Sequence, residues 1–99
     1  VDRYVESNWK TQLYTLLDAL PSDRVISYGG LARQLDGVNA RMVARAMANL
    51  PQGTTLPWHR VIRSDGQLAD HAGAAEQRAR LLADGILLQG NRVPKRYFL

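Results

Sequence analysis

The chain has 99 residues, enough for one domain with one modest core. Thirteen basic against nine acidic side chains leave a net charge of +4, and most of the basic residues are arginine, the side chain best shaped for forked contacts with phosphate and base edges. Nucleic acid is therefore the first partner to consider, although a charge of this size is equally what surface solubility requires. The absence of cysteine excludes a disulfide framework, a thiolate metal site and a cysteine nucleophile.

The chain opens on Val1, as expected of a sequence lacking its initiator or leader, and no apolar run approaches bilayer length, so a soluble, unanchored module over 1–99 is expected. Trp9, Leu13, Leu16, Leu17 and Leu20 recur at helical spacing, which predicts a first helix from Asn8 to Leu20 capped by Ser7. "LPSDRV" ends it and leads into a short extended stretch, Val25–Ile26.

Ser27 is placed to cap a second helix, Tyr28 to Leu35, which Asp36-Gly37 closes; Asn39 is placed to cap a third, Ala40 to Asn49. Two short helices joined by a glycine-containing turn outline a helix-turn-helix, an outline that antiparallel helix pairs in small cores share. In the third helix Val43, Ala46, Met47 and Leu50 form an apolar face, and Arg41, Ala44, Arg45 and Ala48 form a basic face of low profile. Such a face admits a helix to a DNA groove, and it is also what an ordinary solvated face looks like.

Val61–Ile62 is expected to be a buried strand, with "RSDGQL" turning the chain back. Asp70 to Gly73 is read as a loop. Ala74 to Asp84 is read as a helix with Leu81 and Leu82 inward and Gly85 at its end, followed by a hairpin, "ILLQGNRVP", and a basic tail, "KRYFL". His59 has the chemistry of a general base, and Asp84 would orient its ring if the fold joins them, but no serine or threonine stands in a nucleophile-elbow context. His59 and His71 lack metal-ligand spacing, so neither a metal nor another cofactor is expected. Trp58 suits either a core ring beneath its loop or a flat surface for stacking an unpaired base.

"PWHRV", Pro57 to Val61, resembles the Pro-Cys-His-Arg-Val signature of the O⁶-alkylguanine-DNA alkyltransferases with tryptophan in the place of the reactive cysteine, the hallmark of the alkyltransferase-like proteins. "VISYGGLARQL", "NARMVARAM", "SDG" and "LLADGI" resemble further segments of that family in the same order, from Trp9 to Leu88. The resemblance implies a mainly α domain with small β elements, winged-helix-like, similar to the alkyltransferase C-terminal domain. It implies that Arg41 enters the base stack through the minor groove, that Tyr28 presses on the adjoining phosphate, and that Ala40, Met42, Ala44 and Arg45 face the groove. It places Trp58, His59, Arg60 and Val61 in a lesion pocket, closed by His71, Ala72 and Gly73. Asp84 stands where the family has glutamate, and Leu50 where it has asparagine.

The function so implied is a non-enzymatic, monomeric sensor, cytoplasmic or, in a eukaryote, nuclear. It would flip O⁶-alkylguanine out of double-stranded DNA and flag it for nucleotide excision repair proteins. An indole has no thiolate to accept an alkyl group. A small helix-turn-helix regulator of undamaged sites is the alternative, and it leaves "PWHRV" without a purpose.

Overall fold

The computed structural model describes residues 2–68 and 73–99. The first helix, α1, runs Asp2–Asp18. It starts six residues before the expected Asn8, so Ser7 lies within the helix and not at its start. No proline or glycine interrupts the sequence before Pro21, so nothing in the backbone chemistry stops the helix from extending toward the terminus. Leu13 and Leu17 are fully buried, with Trp9, Leu16 and Leu20 packed partly buried beside them. Each leucine so buried contributes roughly 1.5–3 kcal/mol.

Strand β1 is Ile26–Ser27 and β2 is Val61–Ile62, paired in parallel with Ile26 opposite Val61 and Ser27 opposite Ile62. The extended stretch thus lies one residue later than expected, because Val25 is occupied by the chain end: its N–H donates to the Tyr97 carbonyl at 2.8 Å and its carbonyl accepts from Leu99 N–H at 2.9 Å. Successive strand residues point to opposite sides. Ile26 and Val61 therefore join the core built on α1, while Val25 and Ile62 join a second cluster with Leu68, Leu81, Ile86 and Val93.

Helix α2 spans Tyr28–Ala32 and α3 spans Ala40–Ala48. Both expected caps form: Ser27 Oγ accepts from Gly30 N–H and Asn39 Oδ1 from Met42 N–H, each at 2.9 Å. The α-helical part of α2 is shorter than expected because Gln34 and Leu35 donate to carbonyls three residues back rather than four, tightening the last turn and still burying Leu35. Gly37, at φ +69°, makes the turn into α3 in a backbone region other residues avoid.

Helix α4 runs Ala74–Ala83 and ends before Gly85. Leu81 is fully buried, but Leu82, expected inward, is 48% exposed. One residue along a helix rotates the side chain by about 100°, and the single buried stripe of this helix takes Gln77 and Leu81 instead. The expected hairpin is only a tight turn with an isolated bridge between Gln89 and Arg92, and the tail closes as a 3₁₀ turn, Lys95–Tyr97. The result is the helix-rich architecture with one small sheet that the resemblance implied.

Candidate nucleic-acid interface

Pro57 precedes a 3₁₀ turn, Trp58–Arg60, that feeds directly into β2. Because Val61 and Ile62 are both buried, the turn is anchored at its exit, and the Trp58 indole is left half-buried beside a cleft of about 790 Å³. That volume falls among ligand clefts, roughly 300–1,000 Å³. Ala44, Met47 and Ala48 of α3 form one wall, Glu76, Gln77 and Arg80 of α4 another, and the segment from Leu50 to Thr54 the rim. Tyr28, Val61 and Gly73 also contribute.

His59 and Arg60 do not line this cleft; they lie behind it. His59 Nε2 stands 2.7 Å from Asp84 Oδ2, and Arg60 Nε donates to the same oxygen at 3.0 Å. Arg60 also donates to the Leu20 carbonyl at 3.3 Å, and Gln77 Nε2 to the His59 carbonyl at the same distance. These bonds tie the turn to α4 and to the end of α1. Burial pushes the His59 imidazole below its ordinary value; the Asp84 hydrogen bond and charge oppose this, and Arg60 and Arg80 reinforce it. Burial would raise Asp84, but the bonds from His59 and Arg60 prevail and hold its carboxyl low. The arrangement is thus a neutral imidazole donating through Nε2 to a carboxylate, with Nδ1 buried and unpartnered among the described residues. The residue beside it, Trp58, offers a π face and one N–H, neither of which can be deprotonated to a nucleophile.

Arg41 and Arg45 point their exposed residues along the other flank of α3. With Met42, Ala46 and Asn49 they line a second cleft of about 450 Å³, shared with Trp9, Lys10 and Tyr14 of α1. Ala40 is exposed at the start of α3 and lines neither cleft. His71 and Ala72 lie outside the described residues. Among the described residues no group of three or more His, Asp or Glu side chains is placed to hold a metal ion.

Sequence reasoning missed the contribution of α4. Arg80 lies with its guanidinium 5.6 Å from the Trp58 ring centroid and bonds Glu76 one turn earlier. The Glu-to-Arg spacing of four was visible, but nothing local says that this helix packs on the tryptophan turn. The second cleft was missed for the same reason, since α1 and α3 are far apart in sequence.

Residues 8–86 match the family described as "6-O-methylguanine DNA methyltransferase, DNA binding domain". The chain belongs to that family. Among its relatives in the family is the DNA base-flipping protein of Escherichia coli, 32% identical over 88 residues, which cover 87% of this chain and 68% of that one. Alkyltransferase-like protein 1 of Schizosaccharomyces pombe is 36% identical over 80 residues, 77% of this chain and 74% of the relative. The solved structure of S. pombe Atl1 in complex with damaged DNA containing O6-carboxymethylguanine superposes with a TM-score of 0.85 at 30% identity, over 94% of this chain and 95% of that one. Among the described residues no helix is long and apolar enough to cross a membrane.

Proposed function

We propose that this protein, acting as one domain and a monomer, is a non-enzymatic sensor of O⁶-alkylguanine in double-stranded DNA. The observation that carries this reading is the position of Trp58: its ring borders an open cleft flanked by the small side chains of α3 and is not sealed in the core. α3 enters the minor groove with Ala44 and Ala48 toward the cleft, Arg41 fills the space vacated in the base stack, and Tyr28 bears on the neighbouring phosphate. Ala40, Met42 and Arg45 complete the groove-facing surface. The extruded base enters the cleft beside Trp58, Val61 and Gly73, and the pocket assignment extends to His71 and Ala72, which immediately precede Gly73 in the sequence, while His59 and Arg60 hold the turn through Asp84.

Extrusion costs a few kcal/mol, least where alkylation has already weakened pairing, and stacking on an aromatic side chain returns about 1–3 kcal/mol per base. Selectivity therefore arises partly from the lesion and partly from the cleft. With no thiol present, the alkyl group stays on the base, and the bound complex serves as a flag for nucleotide excision repair. The likeness to Atl1 bound to damaged DNA and to the base-flipping protein supports the reading.

The test is competition at fixed salt between a duplex carrying one O⁶-methylguanine and its unmodified twin. A preference of about tenfold or more for the lesion, equivalent to about 1.4 kcal/mol, is expected; equal affinities would remove the sensor and favour a regulator of undamaged sites.

A further inference from the structure

We infer that Gln77 on α4 reads the alkylation state of the extruded guanine, through the N1 and 2-amino groups of the base and not through the alkyl group itself; this rests on the reading above. Gln77 is only 5% exposed, yet its side chain lines the cleft beside Trp58. Burying an amide costs free energy unless its polar atoms find partners. Its Nε2 donates to the His59 carbonyl at 3.3 Å, and among the described residues that is the one bond its side chain makes. A primary amide carries two N–H donors and an accepting oxygen, so one N–H and Oε1 remain for an occupant of the cleft.

The bond to His59 also fixes which way round the amide stands. A carbonyl oxygen cannot donate, so turning the amide over would set Oε1 against the His59 oxygen. His59 follows Trp58 in the same 3₁₀ turn, and ring and amide are thereby held in one register. The other polar side chains that α4 brings to the cleft are less constrained: Glu76 and Arg80 are about half exposed and are paired with each other. A base lying face-on against Trp58 meets one fixed acceptor and one fixed donor at its edge.

Guanine presents two donors side by side, N1–H and the 2-amino group. Alkylation at O⁶ removes the N1 proton and leaves N1 as an acceptor beside the 2-amino donor. That edge matches the amide, with Oε1 accepting from the 2-amino group and Nε2–H donating to N1. Unmodified guanine in the same seat opposes N1–H to Nε2–H. Two donors left facing each other in a buried site is the kind of mismatch by which a hydrogen-bonding pocket rejects a near-identical ligand.

The experiment compares wild type with Gln77→Met, which has similar length and no N–H or carbonyl. Each binds duplexes carrying guanine, O⁶-methylguanine, O⁶-methylhypoxanthine, which lacks the 2-amino group, or 1-deaza-O⁶-methylguanine, which has C–H at N1, all opposite cytosine at fixed salt. Wild type is expected to lose about five- to tenfold in affinity on either removal from O⁶-methylguanine. Gln77→Met is expected to bind O⁶-methylguanine about five- to tenfold more weakly than wild type and to be indifferent to both removals. The pairing cost of each base is common to the two proteins, so the ratio isolates the contact. A merely structural role would weaken every duplex alike and keep the sensitivity to both groups. Gln77→Asn, which withdraws the amide by one methylene, is expected to show the same indifference and serves if Gln77→Met folds poorly.

Wild type that prefers O⁶-methylguanine to guanine but binds the three alkylated bases equally would overturn the role of Gln77 and leave the sensor standing. So would a folded Gln77 variant that keeps the wild-type sensitivity to both groups. Equal affinity of wild type for O⁶-methylguanine and guanine would remove the sensor, and this discriminator with it.

Discussion

The Arg80 guanidinium lies over the Trp58 indole, 5.6 Å from the ring centroid. Glu76 holds it from one turn earlier on α4, with Arg80 Nη2 2.7 Å from Glu76 Oε2. Both charged side chains are about half exposed, so the ion pair and the cation–π contact each contribute at most about 1 kcal/mol. Arg80→Ala is therefore expected to cost less than about 1 kcal/mol in a urea titration. The same change uncovers one face of the ring. Acrylamide quenching of tryptophan emission should rise, and the rise should vanish in a Trp58→Phe background; quenching that stays the same in Arg80→Ala would show that the guanidinium does not cover the indole in solution.

Asp84 accepts from His59 and Arg60 through one oxygen, and both donors are mostly buried. Asp84→Asn leaves a buried guanidinium short of its counter-charge and is expected to destabilise the fold by about 2–3 kcal/mol. The pH dependence follows from the two shifts. The unfolded chain binds a proton at His59 near pH 6.5, which the folded chain refuses until lower pH because burial opposes the charge. Stability contributed by this group is whole above that value and falls as pH drops through the window beneath it. Asp84 acts in the same direction further down: its contribution is present above its unfolded value of about 3.8 and is lost as pH falls through the depressed folded value. Because Asp84 pulls the His59 value upward, Asp84→Asn should also steepen the loss below pH 6.5. Melting temperatures measured from pH 8 to pH 3 check both limbs.

Arg41 is exposed at the first turn of α3 and bonds nothing in the protein among the described residues. Arg41→Ala should accordingly leave thermal stability within about 0.5 kcal/mol of wild type. On DNA the effect should be large: the signal of a fluorescent base analogue beside the lesion, which reports extrusion, should be abolished, and lesion affinity should fall by about tenfold or more. A full extrusion signal in this variant would deny Arg41 its place in the base stack.

Trp58→Cys puts a thiol where, on the resemblance of the Pro57–Val61 signature, the alkyltransferases carry their reactive cysteine. The cleft rim carries Leu50 and the carboxylate behind His59 is Asp84, where the same resemblance implies asparagine and glutamate in the alkyltransferases. Little or no alkyl transfer is expected when this variant is incubated at stoichiometric amounts with O⁶-methylguanine DNA and its mass is measured. Wild type treated in the same way should remain unalkylated and leave the strand intact; a methylated protein or an abasic product would establish catalysis.

Features decided by neighbouring residues were legible in the sequence. Ser27 and Asn39 are short polar side chains three residues before the N–H groups they cap, and both caps form. The α1 stripe needs only a 3.6-residue period, and Leu13 and Leu17 are as buried as it implies. What could not be read was decided across the chain. Val25 takes its partners from the residues at 97 and 99 and so leaves the strand to begin one residue later. Leu82 is as apolar as Leu81, and only the placement of α4 against Ile62 and Ile86 selects which of them is inside. At the site, the signature around Trp58 was legible as a string, but the bond from His59 to Asp84 spans 25 positions and the cover of Trp58 by Arg80 depends on how α4 docks.

The two-residue parallel pairing of β1 with β2 works as a rivet. Ser27 leads straight into Tyr28, and Val61 follows straight after the turn that carries Trp58; Ile26 meets Val61 and Ser27 meets Ile62 across the pairing. The helices proposed to grip the duplex and the turn proposed to receive the extruded base are thereby gauged against each other over a few ångströms of buried backbone, and neither can be re-aimed alone. A substitution that slackens this joint, far from any nucleotide, would misalign the whole instrument while leaving every contacting side chain in place.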